Sequence, residues 1–195
     1  MTPLRALLVS YAFPPVGGAG VQRVLKLVKY LPQCGVHADV LTAKDPSVPL
    51  QDGSLVRDVP AGTQVLRART FEPGYHAKQL AWRAAADEHP GPAARLKRRA
   101  VALGSCLLVP DPQLLWLPAA QLALGRRLRG TEPDDVVFIS GPPFSQFLLA
   151  ALCRLRRSTA VVLDYRDEWT MISSAYEMSG AARVNAQLER AILRC

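Results

Sequence analysis

Four consecutive apolar residues, Ala6–Val9, run toward the loop Phe13-Pro14-Pro15-Val16-Gly17-Gly18-Ala19-Gly20. Beyond that loop Val21, Val24, Leu25, Val28 and Leu31 recur at helical spacing, with Gln22, Lys26 and Lys29 on the opposite side. No other stretch of the chain restricts the fold as tightly. A short apolar run stopped by a Pro/Gly turn reads as a buried strand, and the 3.6-residue period reads as an amphipathic helix. Gly35 marks the helix stop, and Val36–Thr42 reads as the next strand. Strand, glycine loop, helix and strand in this order make a βαβ unit, which calls for a parallel sheet.

The rest of the chain extends that pattern. Gln64–Ala68, Val136–Ser140 and Ala160–Tyr165 read as further strands. Residues 75–129 read as helical, broken at His89-Pro90-Gly91-Pro92 and at Pro110-Asp111-Pro112. Phe147, Leu148, Ala151 and Leu155 mark a helix between the last two strands, and no internal repeat is present. The expected fold class is α/β: a Rossmann-like, doubly wound, mostly parallel sheet, with function at the C-terminal ends of its strands. A last apolar stripe, Val184, Leu188, Ala191, Ile192 and Cys195, reaches the final residue without glycine, proline or a polar cap. Such an ending reads as the interruption of a longer chain.

Composition excludes several classes. The 195 residues are 49% hydrophobic and 21% charged, which excludes a disordered acidic tail, a collagen-like repeat and a disulfide scaffold. The net charge of +8 comes from the first two thirds of the chain, with one dense run at Arg95, Lys97, Arg98 and Arg99. No aromatic residue lies in that run, so a solvated face is favoured over a nucleic-acid surface. Leu96, Ala100, Leu103 and Leu107 form a stripe beside those cations. It fits either core packing or contact of 95–108 with an anionic membrane surface. Cys34, Cys106, Cys153 and Cys195 have no zinc-like spacing, and three of them sit beside apolar helical residues, so burial is expected. No apolar run approaches a membrane span, and the expected location is the cytoplasm, with the inner membrane face as a candidate contact.

Three segments can carry chemistry. The loop at Gly17-Gly18 directs backbone N–H groups and a positive helix end at whatever lies above the sheet. Its spacing, Gly18-x-Gly20-x-x-Arg23, lacks the third glycine of a dinucleotide site. Asp39 lies inside the second strand rather than at its end, and no Walker lysine follows. A dehydrogenase or epimerase is therefore disfavoured. Asp164-Tyr165-Arg166-Asp167-Glu168-Trp169 ends an apolar strand, where a carboxylate can accept from sugar hydroxyls and an arginine can neutralise phosphate. The alternative there is an Arg166–Asp167 or Arg166–Asp164 pair that ties down a loop. Ser140-Gly141-Pro142-Pro143-Phe144-Ser145 also follows a strand and opens a helix.

Taken together these segments resemble the N-terminal part of family 4 glycosyltransferases. The opening Pro14-Pro15-Val16-Gly17-Gly18 continues into Val21-Gln22-Arg23-Val24-Leu25-Lys26 and Lys29-Tyr30-Leu31. Gly35, Val40-Leu41-Thr42, Pro110-Asp111-Pro112 with Trp116, Gly141–Ser145, Asp164–Thr170 and Leu188-Glu189-Arg190 follow in the family's order.

The resemblance implies a GT-B architecture of two Rossmann-like halves, sugar transfer from a nucleotide-sugar donor with retention, and no metal or other cofactor. Residues 1–195 would be the acceptor-side domain. The nucleotide-binding half, with its Glu-x7-Glu pair, is absent from this chain. The implied catalytic pair is Arg166 and Asp167, with arginine where many relatives carry histidine. The implied donor-diphosphate and substrate contacts are Gly17, Gly18, Arg23, Ser140, Gly141, Pro142 and Asp164. Partners would be the donor, a glycan, lipid-linked or small-molecule acceptor, and the missing domain, with no nucleic acid. A stand-alone Rossmann-like ligand-binding module without transferase activity is the alternative. Acceptor specificity would lie in loops such as 44–60 and 70–92.

Overall fold

The computed structural model describes residues 3–76, 78–79, 91, 95, 108–131, 134–154, 159–169 and 182–194. Its centre is a five-stranded sheet of β1 (Leu4–Val9), β2 (Val36–Lys44), β3 (Val65–Arg69), β4 (Val136–Gly141) and β5 (Ala160–Tyr165). The strand order is β3-β2-β1-β4-β5, and every pairing is parallel. The α/β, Rossmann-like class expected from the sequence is thus observed. Sequence order reverses between β1 and β4, and parallel α/β sheets open their ligand crevice at such a point.

Alternation along β1 explains the two layers. Leu7 and Val9 enter one apolar cluster with Trp116, Ala120, Leu124 and Phe147, while Ala6 and Leu8 enter another with Val24, Leu25 and Val28. Helix α1 (Ala19–Tyr30) supplies the second cluster through Val24, Leu25 and Val28 of its buried stripe. The Leu117–Leu128 helix supplies the first through Leu117, Ala120, Leu124 and Leu128. Gly35 adopts the left-handed conformation (φ 75°) and closes the 3-10 turn Leu31–Cys34 that ends α1.

Three expectations need correction or restriction. The segment after β4 begins as a 3-10 helix, Phe144–Leu149, and becomes α-helical only at Ala150–Cys153. Its first amides are held from outside by Asp111, and Gln146 accepts from the Tyr11 amide and donates to Ser140 O in β4. Cys34 is exposed at the end of α1, whereas Cys153 is buried. Burial pushes the Cys153 thiol up to about 11. Most of the 75–107 helical reading, Cys106, Cys195 and all of the 95–108 stripe except Arg95 and Leu108 lie outside the described residues. Among those described, no helix is long and apolar enough to cross a membrane.

Candidate functional site

The loops leaving β1, β4 and β5 meet above one edge of the sheet. They enclose a cleft of about 740 Å³, within the size range of small-molecule sites. Gly17, Gly18 and Gly20 line one side, Pro142, Pro143 and Phe144 another, and Arg166 and Asp167 complete the rim. Gly18 is the N-cap of α1 and holds φ at 102°, a conformation that side chains rarely adopt. At Gly17 the constraint is one of space rather than of φ. A Cβ there would lie 2.9 Å from Leu50 Cγ, because residues 50–52 run against Pro15–Gly17. That approach is fixed by Gly17 N donating to Leu50 O (3.1 Å), Asp52 N donating to Pro15 O (2.6 Å) and an antiparallel bridge between Val16 and Gln51. The polar stretch after β2 therefore builds a cleft wall, with Val48, Pro49 and Leu50 facing the glycine loop.

Arg166 binds the loops to one another. Its Nε donates to Gly141 O (3.1 Å), one terminal nitrogen to Gly20 O (2.8 Å) and the other to Pro142 O. Gly20 leaves room for this contact, since a Cβ there would lie 2.9 Å from the guanidinium and push it aside. Arg23, Ser140 and Asp164 assemble next to the cleft rather than in its lining. Asp164 is buried, accepts from Arg23 (2.7 Å) through one oxygen and from the Ser140 hydroxyl (2.8 Å) through the other. Of the sequence-derived candidates, the structure brings Gly17, Gly18, Pro142, Arg166 and Asp167 to the cleft. Gly141 contributes its carbonyl to the Arg166 contact beneath it. Arg23, Ser140 and Asp164 form a separate linkage between α1, β4 and β5.

Two groups escaped the sequence reading. Asp111, within Pro110-Asp111-Pro112, lines the cleft at only 3% exposure. Its Oδ2 accepts from the Phe144 and Ser145 amides (2.8 and 3.0 Å), and its Oδ1 has no hydrogen-bond partner among the described residues. Burial pushes its carboxyl up to about 6 against the opposing pull of Ser145 and the two amides. Ser145 Oγ lies close enough to contribute to that pull, and among the described residues it has no other partner. Behind Tyr11, Glu72 accepts from the phenol (2.5 Å) and from Lys78 (2.8 Å) with its side chain fully buried. Burial first, then the Glu72 charge, hold the Tyr11 phenol far above its ordinary range. The only signal for Asp111 was its place between two prolines, and for Glu72 there was none.

Aromatic packing fixes the same region. Trp169 stacks on Phe144 (centroids 5.2 Å apart, planes at 7°) and donates to Asn185 Oδ1 (3.2 Å) from the Ala182–Leu193 helix. Trp116 packs edge-on against Tyr11 and donates to Ala68 O (3.2 Å). Among the described residues, no group of three or more His, Cys, Asp or Glu is placed to hold a metal ion.

No protein-family model and no curated protein sequence matches this chain. Among solved structures it is similar to Phytolacca americana UGT2 complexed with UDP-2fluoro-glucose and pterostilbene (TM-score 0.46, 13% identity, 84% of this chain and 31% of that one). It is also similar to the apo form of UGT2 (TM-score 0.42, 11% identity, 82% and 29%). The chain spans less than a third of the length of those structures, and the likeness is too distant to bear on activity.

Proposed function

We propose that residues 1–195 are the acceptor-side, N-terminal domain of a retaining family 4 glycosyltransferase. The whole protein would move a sugar from a nucleotide-sugar donor to an acceptor in glycan, glycolipid or natural-product biosynthesis. One observation carries this reading. The segments Pro14–Gly18, Gly141–Ser145 and Asp164–Trp169, which bear the sequence resemblance, leave their strands at one edge of the sheet, and their residues converge on one cleft. The first two flank the point where strand order reverses.

In this reading the donor diphosphate lies over Gly17 and Gly18, where no side chain stands between it and the first-turn amides of α1. Those amides and the helix dipole stabilise the negative charge that grows on the departing diphosphate. Asp167 accepts from a donor-sugar hydroxyl and orients the ring. Arg166 acts as a positioning residue, holding the β1 and β4 loops at a fixed separation while its charge faces the anion. The nucleotide and the carboxylate pair belong to the second half, and no metal is required.

The experiment compares the 195-residue chain with the same chain extended by the coding sequence that follows Cys195. Each is incubated with a panel of nucleotide sugars and hydroxylated acceptors. The extended protein is expected to form a glycoside whose anomeric configuration, read by proton NMR, matches the donor, and the short chain to form none. Transfer by the short chain alone, an inverted product, or no product from the extended protein would overturn the proposal.

A further inference from the structure

Gly17 and Gly18 bring no side chain of their own to the cleft, but Leu50 brings one to them. A Cβ added at Gly17 would lie 2.9 Å from Leu50 Cγ and 3.1 Å from its Cδ2, and one added at Gly18 would lie 4.0 Å from the same Cδ2. The isopropyl group therefore fills the space above Gly17. The Leu50 carbonyl also accepts from the Gly17 amide (3.1 Å), so that donor is already taken. A ligand oxygen cannot use this amide while Leu50 is in place, and a phosphate pressed against the isopropyl group would lose water without gaining a donor. What holds Leu50 down is slight. Pro49, Leu50 and Gln51 are all exposed, and they lie between two anchors. Val48 packs on the cluster that contains Trp116, and the Asp52 amide donates to Pro15 O (2.6 Å). The tip between those anchors rests on the Gly17–Leu50 hydrogen bond and on a leucine that is half-exposed, the features of a segment that opens locally at small cost.

We propose that Leu50 is a displaceable plug on the glycine loop: a diphosphate reaches Gly17 only when the 49–51 tip has swung away, and the tip closes again when the anion leaves. Opening exchanges an amide–carbonyl hydrogen bond for an amide–phosphate one, which is stronger because its acceptor is charged, so the anion itself can drive the motion. In the free protein the open form is the minor one, and the affinity observed for the anion is reduced by the fraction that is open. The anion is a diphosphate on the strength of the glycosyltransferase reading. The plug itself follows from the contacts of Leu50 and does not depend on the sugar or the acceptor.

The test follows the 195-residue chain by NMR, titrated with inorganic pyrophosphate in the absence of metal. In the free protein the Leu50 methyl protons should show nuclear Overhauser contacts to the Gly17 α-protons. Saturating pyrophosphate is expected to abolish those contacts while shifting the Gly17 and Gly18 amides. Leu50→Ala removes the plug and keeps the carbonyl that pairs with Gly17. It is expected to bind pyrophosphate about fivefold more tightly than wild type, with the melting temperature little changed. Equal affinity of the two chains would overturn the plug and leave the diphosphate site standing, as would pyrophosphate bound with the Leu50–Gly17 contacts intact. Absence of those contacts from the free protein would overturn it too. Absence of binding to both chains would also overturn it, and sugar transfer by the extended protein would then put the diphosphate elsewhere. Tighter binding by Leu50→Ala with no transfer by the extended protein would instead sink the glycosyltransferase reading and leave the plug as a control on anion entry.

Discussion

Asp111 combines two roles that oppose each other in energy. Its carboxylate satisfies two amides at the start of the Phe144–Leu149 turn, yet burial disfavours the charge that makes it a good acceptor. Because its folded pKa of about 6 lies above the unfolded value of 3.8, the folded state binds more protons between those values. Its contribution to stability is therefore fully present below about pH 4 and is lost as pH rises through 6, with a total of ~3 kcal/mol. Other carboxylates titrate in the same window, so the readable quantity is a difference. Urea unfolding of wild type and Asp111→Asn at pH 4.5 and 7.5 should show the wild type losing ground to the variant at the higher pH. A difference independent of pH would refute this assignment. At Gly18 the cause is purely conformational: φ is 102° and the nearest atom to an added Cβ is 4.0 Å away.

Between elements, long side chains do the joining. Arg166 reaches three backbone carbonyls, in the first turn of α1, at the end of β4 and just beyond it, a task for a planar fork and not for a point charge. Arg166→Lys is expected to cost about 1–3 kcal/mol and to speed hydrogen exchange at residues 17–21 and 141–144 while leaving β2 and β3 unchanged. Uniform exchange across the sheet would contradict the clamp. At the other edge of the sheet, Arg127 from the Leu117–Leu128 helix meets Asp39 (2.6 Å) and Asp134 (2.9 Å), both 1% exposed. Asp39 also accepts from the Gln64 amide (2.9 Å), so this carboxylate couples β2 to the start of β3. Arg127→Leu would leave two buried carboxylates without their cation, and about 3–5 kcal/mol of stability should be lost in urea unfolding. A loss under 1 kcal/mol would mean that water reaches both carboxylates.

For the whole molecule, the order β3-β2-β1-β4-β5 does what no single loop could. It puts β1 and β4 side by side, so that loops more than a hundred residues apart in sequence share one cleft. The sequence by itself determined the elements: Ala6–Val9, the helical stripe from Val21 to Leu31, Val36–Thr42 and Ala160–Tyr165 all carry periods and turn signals that act over a few residues. It also determined that the glycine loop and the Arg166–Asp167 loop follow strands, which in a parallel sheet sends both to the same edge. Only the tertiary structure decided which side chains enter the cleft. Arg23 and Asp164 meet across 141 positions, and Arg166 reaches a carbonyl 146 positions away. Asp111 lies against the amides of Phe144 and Ser145, 33 and 34 positions on. No local pattern encodes such pairings, because they depend on where two separately legible elements come to rest. Burial then sets their chemistry, holding Asp164 between arginine and serine and pushing the Asp111 carboxyl up against the pull of Ser145 and two amides.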